Sequence, residues 1–317
     1  NGLTSPNVKE WTLGVGATLG TRGVVRADVV YRNWDDFYVG FTNMETGQVE
    51  YEDRTFDLSV VSNDNDLYDR EYLGLHSQLQ YRFTDRFNLG ISYTLSRLEG
   101  NVNGETWNSG PVRGSAGQYP EYRDESWNYP TGPLTGDRRH RAKLWLTYDL
   151  TTGIGDFLFS LLQSFESGTR SSTDGTIDTR SFVDNPGYQS PTSGVGYFFF
   201  GRGDLKTDDI TRTDISINYT LPIRAVDLFL KFDVFNIFNE QAVVSFDETV
   251  LTEDDEDWLV LFNPWTETPI QCPQGASPET CEEMGAHFQL GENFGQPEEE
   301  SDFQRPRTYR VTIGLRF

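Results

Sequence analysis

The sequence has no long hydrophobic run. None of its apolar stretches approaches the roughly 18 residues of a membrane-spanning helix. Hydrophobic residues make up only 36% of the 317 residues. These two facts exclude a helical membrane protein. They do not exclude membrane-crossing strands, because such strands alternate apolar with polar residues and are polar on average.

Positive charge is also scarce. The chain carries 26 Lys and Arg against 49 Asp and Glu, a formal net charge of -23. Nucleic acids and anionic lipid head groups attract basic surfaces, so neither is expected as a partner. Cations, or a surface bridged by cations, remain open as partners.

Catalytic signals are sparse. The three histidines, His76, His140 and His287, lie far apart, without metal-ligand spacing, and there is no nucleophile elbow. Cysteine and methionine occur twice each, whereas aromatic residues reach 14%. An aromatic excess is typical of strands and of aromatic girdles at membrane interfaces. We therefore do not expect an enzyme.

Alternation of apolar and polar residues predicts nine antiparallel strands of about 9 to 13 residues, the length that a tilted strand needs to cross a bilayer. Apolar residues occupy most of the alternate positions in each of these segments. They are 11–19, 25–32, 73–83, 88–96, 141–150, 157–166, 214–221, 226–234 and 305–317.

The connections alternate between short and long. Turns of a few residues near 20, 84, 151 and 222 alternate with loops of tens of residues. Repeated long loops are unusual in compact soluble domains but typical of outer-membrane barrels, whose short turns face the periplasm. Several charged residues fall in mid-strand and need a water-filled interior; they are Lys143, Asp149, Asp214, Lys231 and Asp233. The sequence predicts an all-β, antiparallel transmembrane β-barrel, with a soluble β-sandwich as the alternative.

The strand number is odd, whereas single-chain bacterial barrels have an even number. The first and last strands would run in the same direction. The chain also opens on Asn1 in a polar segment without a signal peptide. We therefore expect residues 1–317 to be the C-terminal portion of a larger transmembrane barrel, beginning in an extracellular loop.

Particular motifs resemble a known family. The run DVFNIFNEQ (233–241), followed by a long loop and the last strand RPRTYRVTIGLRF (305–317), resembles the C-terminal end of TonB-dependent outer-membrane receptors. The segments 136–150, 70–83 and 8–20 are similar to the Oar-like branch of that family. The likeness extends through most strands but not through the loops.

The resemblance implies an outer-membrane importer of scarce nutrients in a Gram-negative bacterium. Such receptors bind a ligand at the external loops and lumen, and TonB acts on an N-terminal plug; no plug or TonB-contact segment occurs in this sequence. The last strand resembles the signal read by the barrel assembly machinery, with one face formed by Tyr309, Val311, Ile313, Leu315 and Phe317. The alternative functions are a surface-binding or export-associated barrel and an outer-membrane barrel hydrolase.

The longest loop, 239–304, predicts two further features. Cys272 and Cys281 are the only cysteines, and in an oxidising compartment they predict a local disulfide. The loop also holds two acidic runs and no Lys or Arg. We expect an ordered lid with bound Ca²⁺, because Ca²⁺ takes several carboxylate oxygens; the alternative is a mobile acidic fringe. The candidate calcium ligands are Asp254, Asp255, Asp257, Glu299 and Asp302.

Loop aromatics could form a ligand-binding surface, or could pack the loops on one another. They are Trp107, Tyr119, Tyr122, Trp127, Tyr129 and the segment 197–200.

Overall fold

Nine long strands form one antiparallel sheet in the computed structural model, which describes residues 2–63, 66–103, 113–223 and 226–316. Each strand pairs with the next one along the chain. We number them first to ninth: Asn7–Leu19, Gly23–Asp35, Arg70–Thr84, Phe87–Gly100, His140–Thr152, Gly155–Glu166, Ile210–Ile223, Val226–Phe235 and Thr308–Arg316. The nine predicted strands are confirmed. Several are longer than predicted, because polar residues at the loop end continue the pairing.

The register places like side chains in rows across the sheet. Leu13 pairs with Val29, which pairs with Leu75, and all three lie on the same face. This apolar face has no protein packed over much of it, since the side chains of Leu13 and Ile313 are 79% and 71% exposed. So large an exposed apolar surface is rare in soluble monomers and marks an interaction site.

The opposite face carries the polar residues. His76, Ser92 and Ser216 belong to it by their pairing partners. Trp145 also lies on this face, where simple alternation would place a polar residue. It fits because it crosses Gly90 of the neighbouring strand, where any added Cβ would clash with the Trp145 ring.

The short turns all lie at one end of the sheet. At the first turn Gly20 adopts a φ of 61°, which glycine tolerates without strain. At the second, the Thr84 hydroxyl accepts hydrogen bonds from the backbone N–H groups of Arg86 and Phe87, at 3.2 and 3.1 Å. At the third, the Thr152 hydroxyl donates to the Gly155 carbonyl at 2.7 Å. Tight local bonding explains why these connections need so few residues.

The long connections carry their own secondary structure. A three-stranded sheet joins Tyr38–Thr42 to Val60–Asn63 and Arg113–Gln118, and another joins Phe288–Leu290 to Val250–Leu251 and Gln271–Cys272. Two-stranded pairs are Gln48–Tyr51 with Arg54–Asp57, Arg170–Ser171 with Leu205–Lys206, and Asp174–Ile177 with Val195–Phe198. Gly132–Pro133 pairs with the fourth strand. The helices are Glu125–Asn128 and Pro278–Met284, with 3₁₀ turns at Pro120–Tyr122, Arg180–Phe182 and Glu300–Asp302.

Buried apolar residues are concentrated in these long connections rather than on the sheet. One cluster contains Phe37, Val39, Tyr68, Val102 and Ala116. A second contains Leu259, Ala286 and the two cysteines. The hydrophobic core therefore lies at the loop end of the molecule.

The sheet has two free edges within the described residues. The first strand pairs only with the second, and the ninth only with the eighth. The two edge strands run in the same direction, as predicted, since each of the eight successive pairings is antiparallel. Across the described ranges, the helices are all too short and too polar to traverse a bilayer.

Candidate functional site

The long connections pack together at one end of the sheet, and we call this assembly the loop layer. It comprises the described residues of four loops: 36–69 (the first loop), 101–139 (the second), 167–209 (the third) and 236–307 (the fourth). Side chains on each loop contact at least one other loop, so the layer is a folded unit. A ligand approaching this end of the molecule would meet it first.

The first and third loops are joined at Asp57. Its carboxylate accepts hydrogen bonds from the backbone N–H groups of Gln189 and Ser190, at 3.0 and 3.1 Å. Burial alone would raise the pKa of Asp57, but these hydrogen bonds to the charged form hold the pKa below its usual value. The carboxylate therefore serves as a structural clamp between two loops.

The second and third loops meet through tyrosines. The Tyr188 hydroxyl donates to the Glu121 carboxylate at 2.7 Å, and the Tyr188 ring packs on Tyr119 at 4.9 Å. The Thr179 hydroxyl donates to the Tyr122 carbonyl at 2.7 Å. Tyr119 and Tyr122 are thus used for packing between loops.

Aromatic residues also join the fourth loop to its neighbours. Tyr197 packs edge-on against Phe262 at 5.2 Å, and Phe199 stacks on Phe288 at 4.1 Å. Trp127 reaches Tyr197 at 5.4 Å. Trp127, Tyr197 and Phe199 were candidates for a binding surface, and they are engaged in loop packing. Trp107, another candidate, lies outside the described residues.

The acidic fourth loop is folded, and some of its carboxylates bind backbone amides. The Glu253 carboxylate accepts a hydrogen bond from the Asp178 N–H at 2.8 Å, and burial raises its pKa. The Asp255 carboxylate accepts from the Thr252 N–H at 2.9 Å.

The second acidic run is organised in the same way. The Asp302 carboxylate accepts from the N–H groups of Glu298 and Glu299, at 2.9 and 3.0 Å, and these bonds lower its pKa. Together with the Glu299 side chain it forms a capping box at the 3₁₀ turn. Backbone donors thus hold carboxylates of both runs in place.

The candidate calcium ligands lie on two separate turns of the fourth loop. Asp254, Asp255, Asp257 and Glu299 are exposed, and Asp302 is half-buried. Over the described part of the chain, no three or more Asp, Glu, His or Cys residues are grouped so as to hold a metal ion. Calcium binding by this loop stays a prediction, and it would require additional oxygen donors, such as backbone carbonyls.

Cys272 and Cys281 form a disulfide bond, as predicted. Both cysteines are fully buried and pack with Leu259 and Ala286. The helix Pro278–Met284 supplies Cys281, and the short strand Gln271–Cys272 supplies its partner. The bridge therefore ties a helix to a strand in the centre of the fourth loop.

The three histidines lie in three different surroundings. His76 is on the polar face of the sheet, as expected, hydrogen-bonded to the hydroxyl groups of Tyr72 and Thr94. His140 begins the fifth strand at the loop end and bonds the Tyr93 hydroxyl at 2.8 Å. His287 accepts a hydrogen bond from the Ile270 N–H, and burial lowers its pKa. Each has a local structural partner.

The side chains of an Arg-Gly-Asp tripeptide at 202–204 contact other residues of the loop layer. The Arg202 guanidinium donates to the Pro130 carbonyl at 2.7 Å and lies over the Phe198 ring at 4.5 Å. The Asp204 carboxylate accepts from the N–H and the hydroxyl of Thr173, at 2.9 and 2.7 Å. Asp174 follows Thr173 in this loop, and its pKa is raised to about 6 because the surrounding protein removes water from its carboxyl group.

The polar face of the sheet carries paired charges near its C-terminal edge. Asp233 has only 4% of its side chain exposed and lies 3.1 Å from Lys231 and 2.8 Å from Arg310. Arg212 and Asp214 pair at 3.0 Å on the adjacent strand. These mid-strand charges lie on the face opposite the exposed apolar residues, as predicted.

The ninth strand presents its predicted apolar face outward. The exposed fractions of Tyr309, Val311, Ile313 and Leu315 are 60%, 67%, 71% and 57%. Phe317 lies outside the described residues. The role of this face as an assembly signal stays a prediction.

A cavity of about 440 Å³ opens between the first and second loops. Sequence reasoning included Tyr129, one of its lining residues, among the loop aromatics but missed Asn128 beside it. Asn128 is 5% exposed, and its side-chain oxygen has no hydrogen-bond partner in the structure as described. No periodicity or motif marks such a residue, because its burial depends on the third loop.

Comparison with known proteins identifies the fold. No family model matches the sequence, and no curated protein does. Among solved structures, the outer membrane transporter YddB from Escherichia coli matches with a TM-score of 0.50 and 13% identity, over 76% of this chain and 30% of YddB.

Two further structures match more weakly. The ferric preacinetobactin receptor BauA from Acinetobacter baumannii gives a TM-score of 0.44 at 11% identity, over 74% of this chain and 26% of BauA. The ferric yersiniabactin uptake receptor FyuA from Yersinia pestis gives 0.43 at 12% identity, over 76% of this chain and 26% of FyuA.

The likeness to YddB confirms the predicted fold class. The chain has the antiparallel strands, short turns and long loops of an outer-membrane barrel wall, with a sheet that stays open in the described residues. It spans less than a third of the length of the YddB structure. At such low identity the comparison establishes the fold alone.

Proposed function

We propose that this chain forms part of the barrel of a TonB-dependent outer-membrane receptor that takes up a scarce nutrient. The observation that carries the proposal is the division of the sheet into an exposed apolar face and a polar, ion-paired face. Lipid covers the first face and water fills the space along the second. The fold of YddB, described as an outer membrane transporter, supports this assignment.

The loop layer is the receptor surface in this proposal. Long loops of outer-membrane barrels face the cell exterior and short turns face the periplasm. The four loops are bound together by hydrogen bonds and aromatic contacts, which gives a ligand a preformed surface. A preformed surface loses less conformational entropy when it binds a ligand.

Energy for uptake would come from TonB acting through a plug, as the resemblance of residues 233–241 and 305–317 implies. The plug would contact the polar face of the sheet, where Asp233 and Arg310 pair. Membership of the Oar-like branch is part of the same proposal. Lipid on the outer face and the barrel assembly machinery are the other partners that it requires.

The proposal is tested in the native bacterium with the complete reading frame. We expect the protein to fractionate with the outer membrane and to migrate anomalously when unheated, as folded barrels do. Deleting the gene and deleting tonB should abolish growth on the same limiting nutrient. Recovery of the protein in a soluble fraction would overturn the membrane assignment, and growth that is independent of tonB would overturn the transport mechanism.

A further inference from the structure

Four large apolar side chains are exposed where the fourth loop meets the third. Val260, Leu261 and Ile270 of the fourth loop are 41%, 39% and 44% exposed, and Phe200 of the third loop is 53% exposed. We call these four residues the apolar patch. A single exposed apolar residue is ordinary, whereas a group of them marks an interaction site.

Backbone hydrogen bonds gather the patch around one short segment, 286–288. The Val260 N–H donates to the Ala286 carbonyl at 2.9 Å. The His287 N–H donates to the Ile270 carbonyl at 2.8 Å, and the Ile270 N–H donates to the His287 Nδ1 at the same distance. Val260 and Ile270, ten residues apart in the chain, are therefore bonded to consecutive residues of this segment.

Buried rings support the other two residues of the patch. The Phe200 ring meets the Phe288 ring at 5.9 Å. Leu261 precedes Phe262, whose ring contacts that of His287 at 5.1 Å. Phe262 and Phe288 are each only 2% exposed. The patch thus rests on a packed base, so covering it requires little rearrangement and costs little conformational entropy.

The charges around the patch have one sign. Residues 239–304 contain no Lys or Arg. Glu267 is exposed, and its charge acts on His287 at the centre of the patch, opposing the lowering of the His287 pKa by burial. Glu282 and Glu283 are exposed in the helix that leads into the central segment. The fourth loop therefore offers apolar surface and carboxylates but no cation of its own.

The third loop does not supply that cation either. Arg202 lies two residues after Phe200, but its guanidinium is held by the Pro130 carbonyl at 2.7 Å and lies over the Phe198 ring. The carboxylates around the patch are therefore available to the positive charges of a partner.

Charge and size together select the partner. Carboxylates of this density repel nucleic acids and anionic lipid head groups. Four partly exposed side chains offer much less area than the about 800 Å² that each partner buries in a stable complex of two folded proteins. A short polypeptide with apolar anchors and positive charges matches both properties.

We propose that the apolar patch binds a cationic amphipathic peptide that arrives from the medium, and that such peptides are a ligand class of the receptor proposed above. Apolar side chains on one face of the peptide cover Val260, Leu261, Ile270 and Phe200. Lys and Arg side chains beside that face pair with Glu267 and the neighbouring carboxylates. An amphipathic helix presents such anchors at a spacing of three to four residues. This inference rests on the proposed function, because it names the ligand of that receptor.

Fluorescence anisotropy tests the proposal with the full-length protein in nanodiscs of zwitterionic lipid, in the presence of a chelator. The probe is a labelled synthetic helical peptide of Leu and Lys that carries all of its Leu on one face. One control peptide has Glu in place of Lys. A second has the same composition as the probe with Leu spread around the helix. We expect the probe to bind above the background of empty nanodiscs, the Glu peptide not to bind, and the second control to bind about tenfold more weakly than the probe.

A double variant tests the apolar contribution. Val260→Ser with Ile270→Ser removes apolar area from the patch and should weaken probe binding about tenfold. Val49→Ser with Met44→Ser changes two side chains of the first loop that are 47% and 46% exposed, and it should leave binding unchanged.

A second variant tests the charge and guards against misfolding of the first. The Glu267 carboxylate accepts a hydrogen bond from the Asn263 N–H at 2.7 Å, and Glu267→Gln keeps an oxygen for that bond while removing the charge. It should weaken probe binding about twofold, as expected for one exposed ion pair. Glu45→Gln, on an exposed side chain of the first loop, is its control.

Limited proteolysis of each variant shows whether the fourth loop is intact. The proposal fails if the probe does not bind above empty nanodiscs, or if the Glu peptide binds as well as the probe. Equal binding of the second control peptide would also overturn it, because the acidic loop would then attract any cation without use of the patch. So would wild-type affinity in an intact Val260→Ser, Ile270→Ser variant.

The binding measurement and the transport measurement fail separately. A protein that resides in the outer membrane and depends on tonB, yet does not bind the probe, retains the proposed function and loses this inference. A protein that binds the probe through the patch but is absent from the outer membrane retains the site and loses the proposed function.

Discussion

Acidic side chains in the loop layer serve first as acceptors for backbone amides. Asp57, Asp204, Asp255 and Asp302 each bind one or more N–H groups on their own or a neighbouring loop. Hydrogen bonds to a carboxylate are stronger than those between neutral groups. Part of the net charge of -23 is therefore structural, because these carboxylates fix the loop backbone in place.

Side chains on the two faces of the sheet should respond differently to the same substitution. Leu144 lies on the apolar face in register with Ile91, and Thr147 lies on the polar face near Asn88. We expect Leu144→Arg to destabilise the folded protein in a bilayer by roughly 2 to 4 kcal/mol, and Thr147→Arg to have a small effect. Chemical unfolding from lipid vesicles measures both variants. Equal losses would show that the lipid and lumen faces are wrongly assigned.

The pKa of Asp174, raised to about 6, makes the third loop sensitive to pH. Below its ordinary value of about 3.9 the carboxyl is protonated in both folded and unfolded chains. As the pH rises towards 6, the unfolded chain ionises first, so stability falls, and above 6 the full penalty is present. Asp174→Asn should therefore slow proteolysis of the third loop about twofold near pH 7.5, a modest effect because the Asp174 side chain is exposed to solvent, which screens its interactions.

The same variant should be cleaved like wild type near pH 4, where Asp174 is already neutral. Asp184→Asn, on an exposed side chain of the same loop, serves as the control. Equal protection by Asp174→Asn at both pH values would contradict the assignment.

At the scale of whole elements, the strands could be predicted from the sequence and the loops could not. A strand with one apolar face shows its period of two in a few neighbouring residues, so all nine strands are visible. Trp145 is an exception because its place on the polar face depends on Gly90 of another strand. Phe37, Tyr68 and Ala116 form one core although they are far apart in sequence. Local sequence patterns do not predict contacts between such distant residues.

Some features of the loop layer could also be predicted from the sequence, and others could not. The disulfide could be predicted because the two cysteines lie in one loop, and the acidic runs are evident from the amino-acid composition of that loop. The burial of Asn128 beside the loop cavity could not be predicted, because its hydrogen-bond partner, Gly196, is 68 residues away in sequence.

The disulfide should set the local stability of the fourth loop. A bridge that closes a loop of this size is worth about 2 to 3 kcal/mol by chain-entropy estimates, and both cysteines lie in a buried cluster. We expect the Cys272→Ala, Cys281→Ala double variant to be cut faster in the fourth loop during limited proteolysis. Reductant should accelerate cleavage of wild type and leave the double variant unaffected. Wild type that resists reductant under the same conditions would contradict this role.

Calcium remains a prediction for the same element. If Ca²⁺ neutralises the exposed acidic runs, millimolar Ca²⁺ should protect the chain from cleavage near Glu253 and Glu299. Mg²⁺ should protect less, because it demands a stricter octahedral geometry. A variant with Asp254→Asn and Asp257→Asn should lose the protection near Glu253. Cleavage that is unchanged between chelator and Ca²⁺ would show that Ca²⁺ does not order this loop.

At the scale of the whole molecule, the two ends of the sheet are built differently. One end has tight turns stabilised by hydroxyl groups such as those of Thr84 and Thr152. The other carries the buried core and the loop cavity. In the proposed receptor, the loop layer with its cavity lies on the side of the membrane from which the ligand arrives. The proposed function therefore predicts which end faces the medium.

Cysteine labelling of intact cells tests that orientation. The two cysteines of residues 1–317 are joined in a disulfide and do not react with maleimides, so the parent protein without an introduced cysteine, labelled in parallel, supplies the background. Thr268→Cys is on an exposed position of the fourth loop, and Ile154→Cys replaces a side chain that is 70% exposed in a short turn. A membrane-impermeant maleimide should label Thr268→Cys in intact cells. It should label Ile154→Cys only after the outer membrane is permeabilised, because short turns face the periplasm. The reverse pattern would invert the barrel, and full labelling of both variants in intact cells would argue that the sheet does not span a membrane at all.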